Sequence, residues 1–129
     1  MKPVAQKRHR HTHAGRVYDP SQADKKAFLV ASRRICPVLD PMECALKVTL
    51  VFYFQRPKSH YTKKGALTKR APLMMTRKPD CDNCVKYVLD ALNGVYYKDD
   101  AQVCVLSATK TYVQAGSSEG VSVTLERIA

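Results

Sequence analysis

A chain of 129 residues can close one hydrophobic core without disulfides or a structural metal, and it is too short to call for a second domain. Its 45% apolar and 26% charged residues exclude a disordered or low-complexity chain. A formal charge of +11 points to a partner with dense negative charge, nucleic acid before a membrane. No apolar run approaches the ~20 residues that span a bilayer, and MKPVAQKRHRHTH lacks the apolar core of a secretory signal, so a cytoplasmic protein is expected. Without export, the odd set Cys36, Cys44, Cys81, Cys84 and Cys104 reads as reduced thiols, several of them small core residues.

Residues 1–16 form a basic arm in which Lys7, Arg8, Arg10 and Arg16 alternate with His9, His11 and His13. Histidines on an unstructured arm have no fixed geometry for a metal, so phosphate contact is the better use. Asp19 and Pro20 then read as an N-cap and first helical residue, and Ala23, Ala27, Val30, Ala31 and Arg34 follow at helical spacing. Cys36 and Pro37 end this helix near Arg34. The run CALKVTLVFYF over residues 44–54 suits a central strand buried on much of both faces.

From Gln55 to Arg77 the composition turns basic, with Lys63, Lys64, Lys69, Arg70 and Arg77 among its cations and no acid. A loop of this length is either functional or disordered, and with Lys78 it offers a DNA-contacting surface. Asp82 or Asn83 caps a second helix with Val85, Val88, Leu89 and Leu92 on one stripe, and Asn93-Gly94 supplies a left-handed stop. A strand from Gln102 to Val113, a turn through 116–120 and a strand alternating Val121, Val123 and Leu125 complete the chain, read as an antiparallel hairpin. The whole is a single α+β domain over residues 1–129, with no internal repeat.

The segment KPDCDNCVKYVLDALNGVYYKDDAQV, residues 78–103, holds Asp80, Asp82, Asp90, Asp99 and Asp100, five of the chain's eleven acids. Carboxylates crowded in this way resist full ionisation unless a cation sits among them, and a divalent ion that prefers oxygen is the common solution. Pro79 holds the first pair extended, so Asp80 and Asp82 can point the same way with the period of two. Asp82 and Lys86 lie four apart at the helix start and share a face, Asp90 drifts off it, and Asp100 can close the cluster from the next strand. Asp80, Asp82 and Asp100 are therefore the candidate ligands of one or two Mg²⁺ ions, and Lys86 a candidate to stabilise charge on a phosphorane or to orient water. The chemistry is that of a metal-dependent nuclease. Taken singly, these residues also read as an N-cap, an exposed ion pair and turn residues.

The same residues resemble the RusA family of Holliday-junction resolvases. Its pattern of Asp-x-Asp-Asn, a Lys three beyond, Asp-Ala-Leu, paired Asp and Gln-Val is matched by Asp80, Asp82, Asn83, Lys86, Asp90-Ala91-Leu92, Asp99-Asp100 and Gln102-Val103. Gly15 to Pro20 resembles the family's N-terminal region more loosely. The resemblance implies a small α+β enzyme, a mixed sheet with two main helices packed on it, acting as an intertwined homodimer. It implies paired nicks in a four-way DNA junction with Mg²⁺ or Mn²⁺ and no organic cofactor, with Asp80, Asp82 and Asp100 as catalytic carboxylates and Lys86 required. Many relatives come from prophages and serve DNA recombination and repair. Three departures stand out. The chain begins at Met1-Lys2-Pro3, where the family has a short strand before its proline, so that strand is expected to be absent. Cys84 replaces a common leucine and creates Cys81-x-x-Cys84, read as an apolar substitute because no second pair follows at zinc-site spacing. The basic loop is long. A non-catalytic nucleic-acid-binding protein and a zinc-stabilised interaction module are the competing readings.

Overall fold

The computed structural model describes residues 3, 10–11, 17–18, 22–114 and 117–128. Strand β1 (Arg10–His11) in the basic arm pairs antiparallel with β2 (Val17–Tyr18) just beyond it. Lys7, Arg8, Arg16 and the expected helix start at Asp19 and Pro20 lie outside the described residues. Helix α1 covers Gln22–Ile35, with Asp24 in its first turn and Arg33 and Arg34 in its last, both favourable to the helix dipole. The N–H of Cys36 still reaches Ser32 (2.9 Å), and Pro37, which has no N–H to give, stops the ladder there.

Strand β3 (Leu46–Phe54) is the centre of a three-stranded sheet. Leu46, Val48, Leu50 and Phe52 are fully buried at 0% exposure, whereas Lys47 is exposed and Thr49, Val51 and Tyr53 are half-buried. The strand is thus buried on much of both faces, as expected, but fully so on one alone. The reason is that Phe28 of α1 and the stripe of the second helix gather on that face in one cluster. Each such side chain contributes about 1.5–3 kcal/mol by leaving water, and Leu50→Ala would cost about 3 kcal/mol once its cavity is counted.

Helix α2 (Cys81–Leu92) joins β3 to β4 (Val103–Tyr112), which runs parallel to β3 as a helical crossover requires. Strand β5 (Gly120–Arg127) lies antiparallel on the opposite edge of β3, giving the order β4-β3-β5. The expected β4–β5 hairpin does not form. The end of β4 from which a hairpin would start already bonds outward: Tyr112 N–H and the Thr111 hydroxyl donate to the Leu73 carbonyl (3.0 Å each), and Met75 N–H donates to the Lys110 carbonyl (3.2 Å). With that edge taken, β5 finds its partner across β3.

Two further expectations shift. Helix α2 begins at Cys81 with Asp80 as N-cap, two to three residues before the Asp82 or Asn83 cap read from sequence. Its stop is as read, with Gly94 at φ 81°. The segment 55–77 is not structureless. A short 3₁₀ turn over Lys58–His60 leads into a tight excursion closed by Thr62 N–H to Ala66 (2.7 Å) and Thr68 N–H to His60 (3.0 Å), with Gly65 at φ 83° at its tip. Arg56 pins its base. The guanidinium is buried at 9% exposure, donates to Pro72 (2.7 Å) and Val113 (3.3 Å), meets His60 Nδ1 (3.3 Å) and lies 5.2 Å above the Tyr112 ring. Among the described residues no helix is long and apolar enough to cross a membrane, and all five cysteines are free.

Candidate active site

Asp82, Lys86 and Asp90 recur every four residues along α2 and line a pocket of about 500 Å³ together with Cys81, Asp100 and Leu106. Asp82 and Lys86 share one face as their spacing requires. Asp90, expected to drift away, lines the same pocket, since four residues beyond Lys86 leave it offset from that residue by only about 40° around the helix. Asp82 sits in the first turn of α2, where the helix dipole favours a carboxylate, and accepts the N–H of Asn83 (3.0 Å).

The paired acids after α2 divide their labour. Asp99 caps the 3₁₀ turn Asp100–Gln102: its carboxylate accepts the Ala101 N–H (3.0 Å) while the Gln102 side chain accepts the Asp99 N–H (2.9 Å). Gln102 in turn donates to the Met42 and Cys44 carbonyls (2.9 Å each), tying the turn to the chain entering β3. Asp100 is left facing the pocket. The Ala101 N–H, then the hydrogen bond from Asp100, hold the Asp99 carboxyl below the usual range. The same shared hydrogen bond pushes Asp100 up, helped by desolvation and by the charges of Asp99 and Asp90. Burial pushes up the Tyr97 hydroxyl, with Asp100 and Asp90 adding, so it stays a donor to the Leu89 carbonyl (2.5 Å).

Asp80 is not among the residues lining the pocket. As N-cap it has an extended backbone (φ −69°, ψ 147°), its carbonyl accepts the Cys84 N–H (3.1 Å), and its side chain makes no cap bond, pairing instead with Lys78 (3.3 Å). Asp80 and Asp82 therefore straddle a helix start and do not lie along one extended run, so the period-of-two argument for their convergence does not hold. Cys84 is fully buried, and burial pushes its thiol up to about 11 against the pull of the Lys110 ammonium. A thiol held protonated behaves as an apolar side chain and not as a metal-ligating thiolate.

Asp90 has its own counterion. Lys25 of α1 reaches it at 3.3 Å, with side-chain exposures of 10% and 35%. Nothing in the sequence pairs residues 65 apart, so Lys25 was invisible there, whereas the i+4 relation of Asp90 to Lys86 was a signal that could have kept it in the site. Lys63, Lys64, Lys69, Arg70, Arg77 and Lys78 are all exposed, while the backbone of Arg10 lies in β1.

The pocket offers carboxylate oxygens, donors that fit a hard divalent ion such as Mg²⁺, with the Lys86 ammonium beside them. The set is not closed into a cage: among the described residues no three His, Cys, Asp or Glu converge closely enough to hold a metal ion. A larger hollow of about 590 Å³ between α1 and β5 is lined mainly by apolar groups such as Phe28, Ile35, Met42, Val123 and Leu125. Its charged lining is limited to Asp40 and Arg127 among the described residues, so chemistry is better placed at the carboxylate pocket.

Comparison with known proteins bears on the family of the chain. The family model described as Endodeoxyribonuclease RusA matches residues 1–126. YqaN of Bacillus subtilis (strain 168), described as an uncharacterized protein, is 40% identical over 120 residues, which cover 85% of this chain and 82% of that one.

Proposed function

The chain belongs to the RusA endodeoxyribonuclease family, and on that premise we propose that it is a divalent-metal-dependent endonuclease that resolves four-way (Holliday) DNA junctions by paired phosphodiester hydrolysis. The observation that carries this reading is the meeting of Asp82, Lys86, Asp90 and Asp100, from two separate elements, around one pocket of a chain with charge +11.

Asp80, Asp82 and Asp100 are the proposed ligands of Mg²⁺ or Mn²⁺. Bound there, the ion supplies Lewis-acid polarisation of the scissile phosphate and lowers the pKa of the attacking water. Lys86, four residues along the same face from Asp82, stabilises negative charge as it builds on the phosphoryl oxygens. Asp90, neutralised in part by Lys25, keeps the pocket negative without competing for the role of ligand.

DNA is held by charge. Lys63 and Lys64 at the tip of the loop excursion, with Lys69, Arg70, Arg77 and Lys78, are exposed cations proposed to meet phosphate, and Lys7, Arg8, Arg10 and Arg16 of the arm are proposed to join them. A homodimer places two such sites on opposing strands of a junction with approximate two-fold symmetry. The role fits DNA recombination and repair in the cytoplasm.

The test is incubation of the purified chain with a synthetic four-way junction and Mg²⁺, with Asp82→Asn as control. Symmetric nicks made by the parent and not by the variant support the reading. A salt-sensitive mobility shift without nicks from either would leave a non-catalytic DNA-binding protein in its place.

A further inference from the structure

Lys110 of β4 holds three alternate residues of the segment that runs up to Asp80. Its carbonyl accepts the N–H of Met75 (3.2 Å), and its ammonium donates to the carbonyls of Arg77 (2.6 Å) and Pro79 (2.7 Å). The two ammonium bonds are short, as charge-assisted bonds are, and they fall on either side of Lys78. On its other flank Asp80 is fixed by the Cys84 N–H, which bonds its carbonyl at 3.1 Å. Asp80 is thus gripped from both directions through the backbone, while its carboxylate makes no cap bond and stays half-exposed at 48%.

We infer that Lys110 is a positioning residue for Asp80: its ammonium sets the path of residues 77–79 and so the direction in which the Asp80 carboxylate is offered beside Asp82. The inference rests on the proposed role of Asp80 and Asp82 as cation ligands. Lys110 is not itself a proposed ligand of the ion. It acts through two carbonyls. A ligand loosened in this way still binds its ion, but the ordering it needs must then come from the binding energy itself.

The experiment is titration of the DNA-free protein with Mn²⁺, read by electron paramagnetic resonance, alongside the Mn²⁺ dependence of junction cleavage. Circular dichroism and the urea midpoint report the fold. Lys110→Met is expected to weaken Mn²⁺ binding about tenfold or more and to raise the Mn²⁺ concentration for half-maximal cleavage in parallel. Lys110→Arg, which keeps charge and donors, recovers most of the loss. In an Asp80→Asn background Lys110→Met adds no further loss, because the residue it positions is already gone.

A folded Lys110→Met protein that binds Mn²⁺ within about twofold of the parent overturns the inference, as do losses that simply add to those of Asp80→Asn. A lowered urea midpoint with unchanged Mn²⁺ affinity marks Lys110 as a brace of the fold alone and overturns it too. Should the Met variant not fold, Lys110→Gln is measured in the same way with the same criteria. A parent protein that neither binds Mn²⁺ nor cuts junctions removes the proposed function itself, and the Lys110 inference with it. A parent that does both while Lys110→Met is unaffected removes the Lys110 inference alone.

Discussion

Asp99 and Asp100 are neighbours in the chain whose carboxyls are driven in opposite directions by the hydrogen bond between them. Asp99, anchored by the Ala101 N–H, is held below the ordinary carboxylate range, and Asp100 is pushed above it. An acid pushed up becomes a ligand for a cation only at higher pH, so Asp100 sets the acid limb of any activity that needs its charge. Asp99→Asn keeps an N-capping side chain, removes the neighbouring charge and can donate to Asp100. Both the lost charge and the new donor favour the Asp100 carboxylate, so its pKa falls and the acid limb moves to lower pH. Carbon-detected NMR titration of Asp100 in metal-free protein, with the pH profile of cleavage, checks this. A limb that stays put or moves up contradicts it.

Removal of metal separates chemistry from folding. The described core cluster is built of apolar residues, and the candidate ligands lie outside it. EDTA is therefore expected to stop cleavage and leave circular dichroism unchanged, whereas a zinc-stabilised module would unfold. At the same site Asp82→Asn is expected to lower cleavage by at least about a hundredfold while junction binding stays equal or tightens, since a charge that repels phosphate is removed. Gel shifts in Ca²⁺ and cleavage in Mg²⁺ measure the two effects. Equal loss of both would point to misfolding.

Lys25 and Asp90 join the two helices at 3.3 Å, and the lysine end is the more deeply buried. Lys25→Met leaves Asp90 half-buried beside Asp100 with less counter-charge, at an expected cost of about 1–2 kcal/mol, below the full penalty of a broken buried pair because Asp90 keeps some access to water. Asp90→Asn in that background should return part of the loss. Urea unfolding of both single variants and the double variant gives the coupling, and a coupling near zero would mean that the pair is ornamental.

What could be read from residues 78–103 was the inventory of the site; what could not was its assembly. Spacing gave the shared face of Asp82 and Lys86 and the stop at Gly94, because both are set within one helix. The earlier start of α2 makes Asp80 the N-cap and puts Asp82 inside the first turn, since Asp80, Asp82 and Asn83 offer competing caps within four positions and only tertiary packing chooses. The hairpin was the natural expectation for two consecutive alternating strands. It failed because the outer edge of β4 is claimed by Leu73 and Met75, a partnership no local pattern announces. Lys25, Arg56 and Lys110 stayed invisible for the same reason: each acts across a long stretch of chain, and in composition each is one more basic residue.

Arg56 and the lysines downstream of it show how alike residues in one basic run separate into structural and binding roles. Arg56 is buried and bonds Pro72 and Val113, whereas Lys63, Lys64, Lys69 and Arg70 are exposed. Replacing those four by alanine should leave stability within about 0.5 kcal/mol of the parent and weaken junction binding. The slope of log affinity against log salt should then fall by about one unit for each phosphate the variant no longer neutralises. Arg56→Met should do the reverse first, costing about 2–3 kcal/mol by leaving the two carbonyls and the Tyr112 face without their partner. Its salt slope should change only as far as the freed loop carries Lys63 and Lys64 away from the DNA. Urea midpoints and fluorescence anisotropy over a salt series distinguish the two variants. An unchanged slope in the fourfold variant would exclude the excursion as a DNA-binding element and shift the burden of binding to the arm and to Arg77 and Lys78.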